Sequence, residues 1–166
     1  QSVLFICSQN MVRSVMAAAL AAVQEAAQPV FSLTGGSSRE FEARAEGDTI
    51  VEHAGEGVNL VQTALSRFRL AANVENLVIV TPGGATVTDN GLDNVLTAGA
   101  GADTFVFTGG HDLIRGFTVG VDHIDMDAAG VTVARTAADD MVIQHGTASV
   151  TLLGVDYHTS LAGVLI

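Results

Sequence analysis

The sequence predicts an all-β protein, a parallel β-roll or β-solenoid of short strands joined by Gly/Asp turns. Three observations carry that expectation. Beyond residue 38 the apolar residues come in short pieces separated by turn residues, none long enough for a typical helix. Hydrophobic residues make up 48% of the chain, yet aromatics reach only 5% with no Trp, while there are 18 Gly. That balance suits thin layers of small aliphatic side chains and frequent turns, not a thick aromatic core. Third, a nine-residue period places Asp or Asn on glycine-rich corners between residues 89 and 115.

The elements follow in order. Val3-Leu4-Phe5-Ile6 reads as a short buried strand, and the Ala-rich run from Ser14 to about Ala27 has strong helix propensity, closed by Pro29. This is the one N-terminal strand-helix segment, residues 1–34. A Gly-Gly-Ser-Ser turn at 35–38 opens a stretch of degenerate β-repeats, 35–82, containing EFEAR, DTIVE, VNLVQTAL and FRLAANVENLVIV. Residues 83–130 hold the nonapeptide pieces ATVTDN, DNVLT, DTFVF, HDLIRGF and DHIDM. Residues 131–166 form a C-terminal cap. There MVIQHGTASVTLLGV predicts a β-hairpin turning near His145-Gly146, followed by the apolar end LAGVLI.

Charge narrows the function. The formal net charge is −11, and the basic residues are all Arg. This excludes nucleic acid as an expected partner, because phosphate recognition needs clustered positive charge, and it disfavours anionic membrane surfaces. The acids are sorted by type: every Glu lies at or before Glu75, and every Asp except Asp48 lies at or after Asp89. A solvated acidic face would mix the two. Asp on short turns beside Gly is what a hard cation requires, since its short stem lets the carboxylate share an ion with nearby carbonyls. The single cysteine, Cys7, excludes an internal disulfide framework. A small extracellular domain without disulfides commonly relies on metal as its staple. No stretch has the length of a membrane-spanning helix. The opening, QSVLFICSQNMVRS, has a short apolar run and no basic leader, unlike a signal peptide.

Aligned on the nine-residue period, residues 89–97 are DNGLDNVLT, 98–106 are AGAGADTFV and 107–115 are FTGGHDLIR. The sixth position holds Asn94, Asp103 and Asp112, and the eighth holds Leu96, Phe105 and Ile114. A further copy, slipped by one residue, supplies Asp122 and Ile124. The pattern resembles the repeat-in-toxin (RTX) haemolysin-type nonapeptide GGxGxDxUx, in which U is a large aliphatic residue. Ala98–Val106 keeps Gly99, Gly101, Asp103 and Phe105, with Ala98 in place of the first Gly. The resemblance runs over about 45–166. Residues 47–77 look like the degenerate repeat that precedes the calcium turns, with Asn59 where Asp is usual. Residues 101–126 look like the stretch closing haemolysin-type rolls, with Gly116 replacing a usual Asp. SVTLLGV and the apolar end resemble the family's C-terminal cap and secretion signal.

The resemblance implies a calcium-binding β-roll, secreted to the extracellular space through type I secretion machinery, that folds on Ca2+ after export. The implied metal residues are Asn94, Gly99, Gly101, Asp103, Gly110, Asp112, Asp122 and Asp125. Coils two repeats apart stack, so Asn94 pairs with Asp112 and Asp103 with Asp122. Asn94 lowers the charge of its own site, which makes Asp103–Asp122 the stronger pair. Asp139, Asp140 and Asp156 read as solvated turn residues.

A second resemblance lies in residues 3–20, VLFICSQNMVRSVMAAAL, which are similar to the phosphate-loop start of low-molecular-weight protein tyrosine phosphatases. That likeness implies a catalytic pair: Cys7 as nucleophile and Arg13 as phosphate clamp, with Asn10 bracing the loop and Ser14 assisting the thiolate. The family's Asp-Pro general acid is missing, because Pro29 and Pro82 follow Gln28 and Thr81. The leading expectation is therefore a binding module rather than an enzyme. The alternatives are a phosphatase-like enzyme using Cys7 and Arg13, and a calcium-independent adhesive β-solenoid.

Overall fold

A computed structural model describes residues 30–33, 38–46, 48–55 and 57–166. Of the expected strand-helix segment only residues 30–33 are described; its Cys7, Asn10, Arg13 and Ser14 lie outside the described residues.

Short strands alternate between two faces. β1 (Val30–Leu33) pairs in parallel with β3 (Thr49–Glu52). The long sheet is built from β2 (Glu40–Ala43), β4 (Leu60–Thr63), β6 (Asn76–Ile79), β8 (Val95–Thr97) and β10 (His111–Arg115). These five are parallel neighbours in that order. The short sheet is built from β5 (Arg67–Arg69), β7 (Thr86–Thr88), β9 (Thr104–Val106) and β11 (His123–Asp125), again all parallel. The chain crosses from one sheet to the other at each step, giving a β-solenoid of about four turns, as the sequence predicts.

The three-residue strands have a simple cause. β7, β8 and β9 read Thr-Val-Thr, Val-Leu-Thr and Thr-Phe-Val, and in each only the middle residue is buried. One inward side chain per strand is all that a narrow coil can hold, so the chain must turn immediately afterwards. The inward residues stack coil on coil. Val61, Leu77, Leu96 and Ile114 are cross-strand partners in the long sheet, and Phe68, Val87, Phe105 and Ile124 in the short one. All but Phe68 are 2% exposed or less. Fully burying such a side chain is worth about 1.5–3 kcal/mol, so these columns are the main source of stability.

Glycine decides how closely the corners stack. A Cβ on Gly101 would lie 2.0 Å from the Gly84 nitrogen of the preceding coil. One on Gly110, which has φ +85°, would lie 2.2 Å from the Leu92 carbonyl oxygen. Backbone therefore touches backbone at both corners.

The cap is a three-stranded antiparallel addition: β12 (Val131–Arg135), β13 (Asp140–His145) and β14 (Ala148–Asp156). The β13–β14 hairpin turns at Gly146, φ +62°, where the sequence predicts it. β14 lies parallel to β10 and matches Leu152 to Ile114, closing the long sheet. The last residues close the short one. Leu165 bridges Ile124, whose N–H donates to Val164 O at 2.8 Å. Residues 82 and 83 lie in the turn between β6 and β7, and residue 130 lies in the turn before β12. Among the described residues no helix is long and apolar enough to cross a membrane.

Candidate metal centre

The repeat's sixth-position residues sit at or just before the start of each strand, Asp112 being the second residue of β10, and two places before its inward residue. The stacking therefore forms two polar columns, one at each corner of the coil. Entering the short sheet are Asp103 and Asp122, and entering the long sheet are Asn59, Glu75, Asn94 and Asp112. Asn59, Asn94, Asp103, Asp112 and Asp122 are all buried, at 3% exposure or less.

The first column is closed by backbone donors. Asp103 Oδ1 accepts from Ala85 N–H of the preceding coil at 2.8 Å, and Oδ2 accepts from Gly99 N–H in its own turn at 2.6 Å. Asp122 repeats the arrangement: Oδ1 accepts from Asp103 N–H at 2.8 Å and Oδ2 from Thr118 N–H at 2.7 Å. Each carboxylate thus ties its turn to the coil beneath. Burial pushes the Asp103 carboxyl above its usual range; the two N–H donors oppose that rise, and the Asp122 charge adds to it.

The second column is less complete. Asp112 Oδ1 accepts from Asn94 N–H at 2.9 Å. Asn94 Nδ2 donates to the carbonyls of Val74 at 2.9 Å and Glu75 at 3.3 Å, which leaves its buried Oδ1 without a donor. Burial drives the Asp112 carboxyl up to about 8, opposed by Asn94 N–H and reinforced by the charge of Asp89, a hydrogen bond with Asp89, and the charge of Asp93. Asp89 is itself 1% exposed, and its carboxylate accepts from Thr108 N–H, Thr108 Oγ1 and Gly91 N–H. Asp93 is exposed and accepts from His111 N–H at 2.7 Å.

The structure therefore brings together Asn94 with Asp112 and Asp103 with Asp122. Gly99 contributes an N–H to Asp103, whereas Gly101 and Gly110 serve as close-approach points between coils. Asp125 is placed elsewhere: it is exposed at the end of β11, beyond inward-facing Ile124. Asp139 pairs with Arg135 at the surface, and Asp156 is exposed with His158 against it. Asp140 does more than the sequence suggests, accepting from Gly154 N–H at 2.8 Å and Thr136 Oγ1 at 3.0 Å.

Sequence reasoning missed Asp89, Glu75 and the full role of Asn59. Asn59 is 0% exposed; its Oδ1 accepts from Arg39 N–H, its own N–H donates to Glu75 Oε2, and its Nδ2 donates to Glu52 Oε1. A signal was present: Asn59, Glu75, Asn94, Asp103, Asp112 and Asp122 each stand two residues before an inward apolar side chain.

Asp89, Asp103, Asp112 and Asp122 make no ion pair with any described residue. Their donor set is oxygen only, with an orphaned amide oxygen beside it, which suits a hard cation such as Ca2+ better than zinc. Among the described residues no three His, Cys, Asp or Glu side chains converge. A bound ion would thus take one or two carboxylates, with backbone carbonyls or water completing its shell. No family model and no curated protein matches this chain.

Proposed function

We propose that the chain is a calcium-binding, RTX-type β-solenoid module, one that folds on Ca2+ after export through type I secretion machinery. In that role it supports the secretion and stability of a larger extracellular protein. One observation carries the reading: four carboxylates are buried at the coil corners, and among the described residues no cationic side chain pairs with them. Burying a carboxylate without a counter-charge is costly even when N–H groups donate to it, so the group either takes up a proton or recruits a cation. At extracellular calcium the cation is available. In a low-calcium cytosol the acidic turns lack their counter-ion, which keeps the coils loose enough to be exported.

Circular dichroism of the chelated protein, followed through a calcium titration at neutral pH, tests this. A large gain of β signal is expected. An unchanged spectrum contradicts it.

A second reading has its own support. All four oxygens of Asp103 and Asp122 already accept backbone N–H groups, which favours a solenoid that holds its corners together without metal, as a calcium-independent adhesive module would. That reading expects the full β signal with chelator present.

A further inference from the structure

Of the chain's asparagines only Asn90 is followed by glycine; the others precede Met, Leu or Val, whose side chains screen the next backbone nitrogen. An Asn-Gly pair is the one most open to attack on itself, because no Cβ stands between the glycine nitrogen and the asparagine amide carbon. In the coil this pair is held from every side. Asn90 Nδ2 donates to the carbonyls of Ala71 at 2.7 Å and Val74 at 2.8 Å, both in the turn between β5 and β6. Its Oδ1 accepts from Leu92 N–H at 3.1 Å, and Gly91 N–H donates to Asp89 Oδ1 at 3.1 Å. The Asn90 amide therefore shapes its own turn and ties that turn to the coil beneath.

We infer that Asn90 is a deamidation site which the folded coil keeps shut, so that time spent unfolded is recorded as a permanent defect in the stack. The reaction needs only water. The Gly91 backbone nitrogen attacks Asn90 Cγ; the N–Cγ bond forms, the Cγ–Nδ2 bond breaks, and Nδ2 departs as ammonia carrying the proton from Gly91 N. Water then opens the cyclic imide at either carbonyl, leaving aspartate or isoaspartate. Closing the ring in the folded coil means breaking the bonds to Ala71, Val74 and Leu92, so the reaction waits on local opening. Once formed, the acid has lost its seat. A carboxylate at position 90 has no hydrogen to donate, and it sets negative oxygens against the Ala71 and Val74 carbonyls, next to Asp89. Isoaspartate also lengthens the main chain of a turn that must stack on its neighbours. None of this depends on calcium; under the calcium reading, delay before the ion arrives is the time that counts.

Peptide mass spectrometry of the full chain decides the point. The protein is incubated at mildly alkaline pH with calcium present, folded in one sample and unfolded by urea in the other, and conversion of Asn90 to acid is followed with time. Conversion should be at least about ten-fold slower in the folded sample, because only the open fraction reacts. Equal rates in the two samples, or an Asn90 that stays intact in urea, overturn the inference whatever becomes of the calcium reading. The consequence is read separately from Asn90→Asp, whose melting temperature should fall by several degrees or whose fold should be lost. An Asn90→Asp protein that melts like the unmodified chain overturns the claim that the amide is needed at this seat.

Discussion

Burial gives Asp112 a protonation state that couples to folding. In an unfolded chain its carboxyl ionises near its ordinary value of 3.8, whereas in the folded coil it holds its proton up to about 8. Because the folded value is the higher one, this group favours the native state fully below about pH 4. That contribution is lost as pH rises toward about 8, at about 1.4 kcal/mol per pH unit for one proton. Denaturation in chelator should therefore show stability falling across that interval, and Asp112→Asn should flatten the dependence. A profile identical in both proteins contradicts the burial argument. Calcium bound at Asp112, as proposed, displaces the same proton, so adding it should release protons into a weakly buffered solution at pH 7. Gly101→Ala is a second residue-scale test. Its new Cβ would meet backbone at 2.0 Å, and a loss of roughly 1–3 kcal/mol is expected in a melt, with or without calcium.

At the scale of elements, the strands were legible and the polar columns only partly so. An inward apolar residue between two outward ones is visible in Thr-Val-Thr or Thr-Phe-Val, and turns at glycine follow from it. The nine-residue alignment also found Asn94, Asp103 and Asp112, because they share a slot. It could not find Asp89, which occupies the slot of a glycine, or Glu75, which lies where the spacing between coils is irregular. Nor could it tell that the Asp103 and Asp122 oxygens are met by N–H groups, since backbone donors leave no trace in side-chain identity. The cap makes its own prediction. Removing residues 161–166 deprives the Ile124 N–H of its acceptor at Val164 and uncovers the edge of β11. Amide exchange at Ile124 should quicken while Leu96, further inside the stack, stays protected. Unchanged exchange at Ile124 would show that the tail does not close the sheet.

Across the whole molecule, stability is a sum of coil-on-coil interfaces, and the apolar columns and the acidic corners act in opposition. Leu96→Ala removes a side chain packed between Leu77 and Ile114 and should cost about 2–5 kcal/mol, enough to unfold the calcium-free chain while excess calcium rescues it. The net charge of −11 adds a long-range repulsion that a divalent ion relieves more effectively than monovalent salt. Equilibrium denaturation of the unmodified chain at fixed pH and ionic strength, repeated over a series of free calcium concentrations, tests this account most directly. Stability should climb by about 1.4 kcal/mol per ten-fold increase for each site once calcium exceeds that site's dissociation constant. Superimposable curves in chelator and in saturating calcium would mean that the buried carboxylates are satisfied by the protein alone, and the account would be wrong.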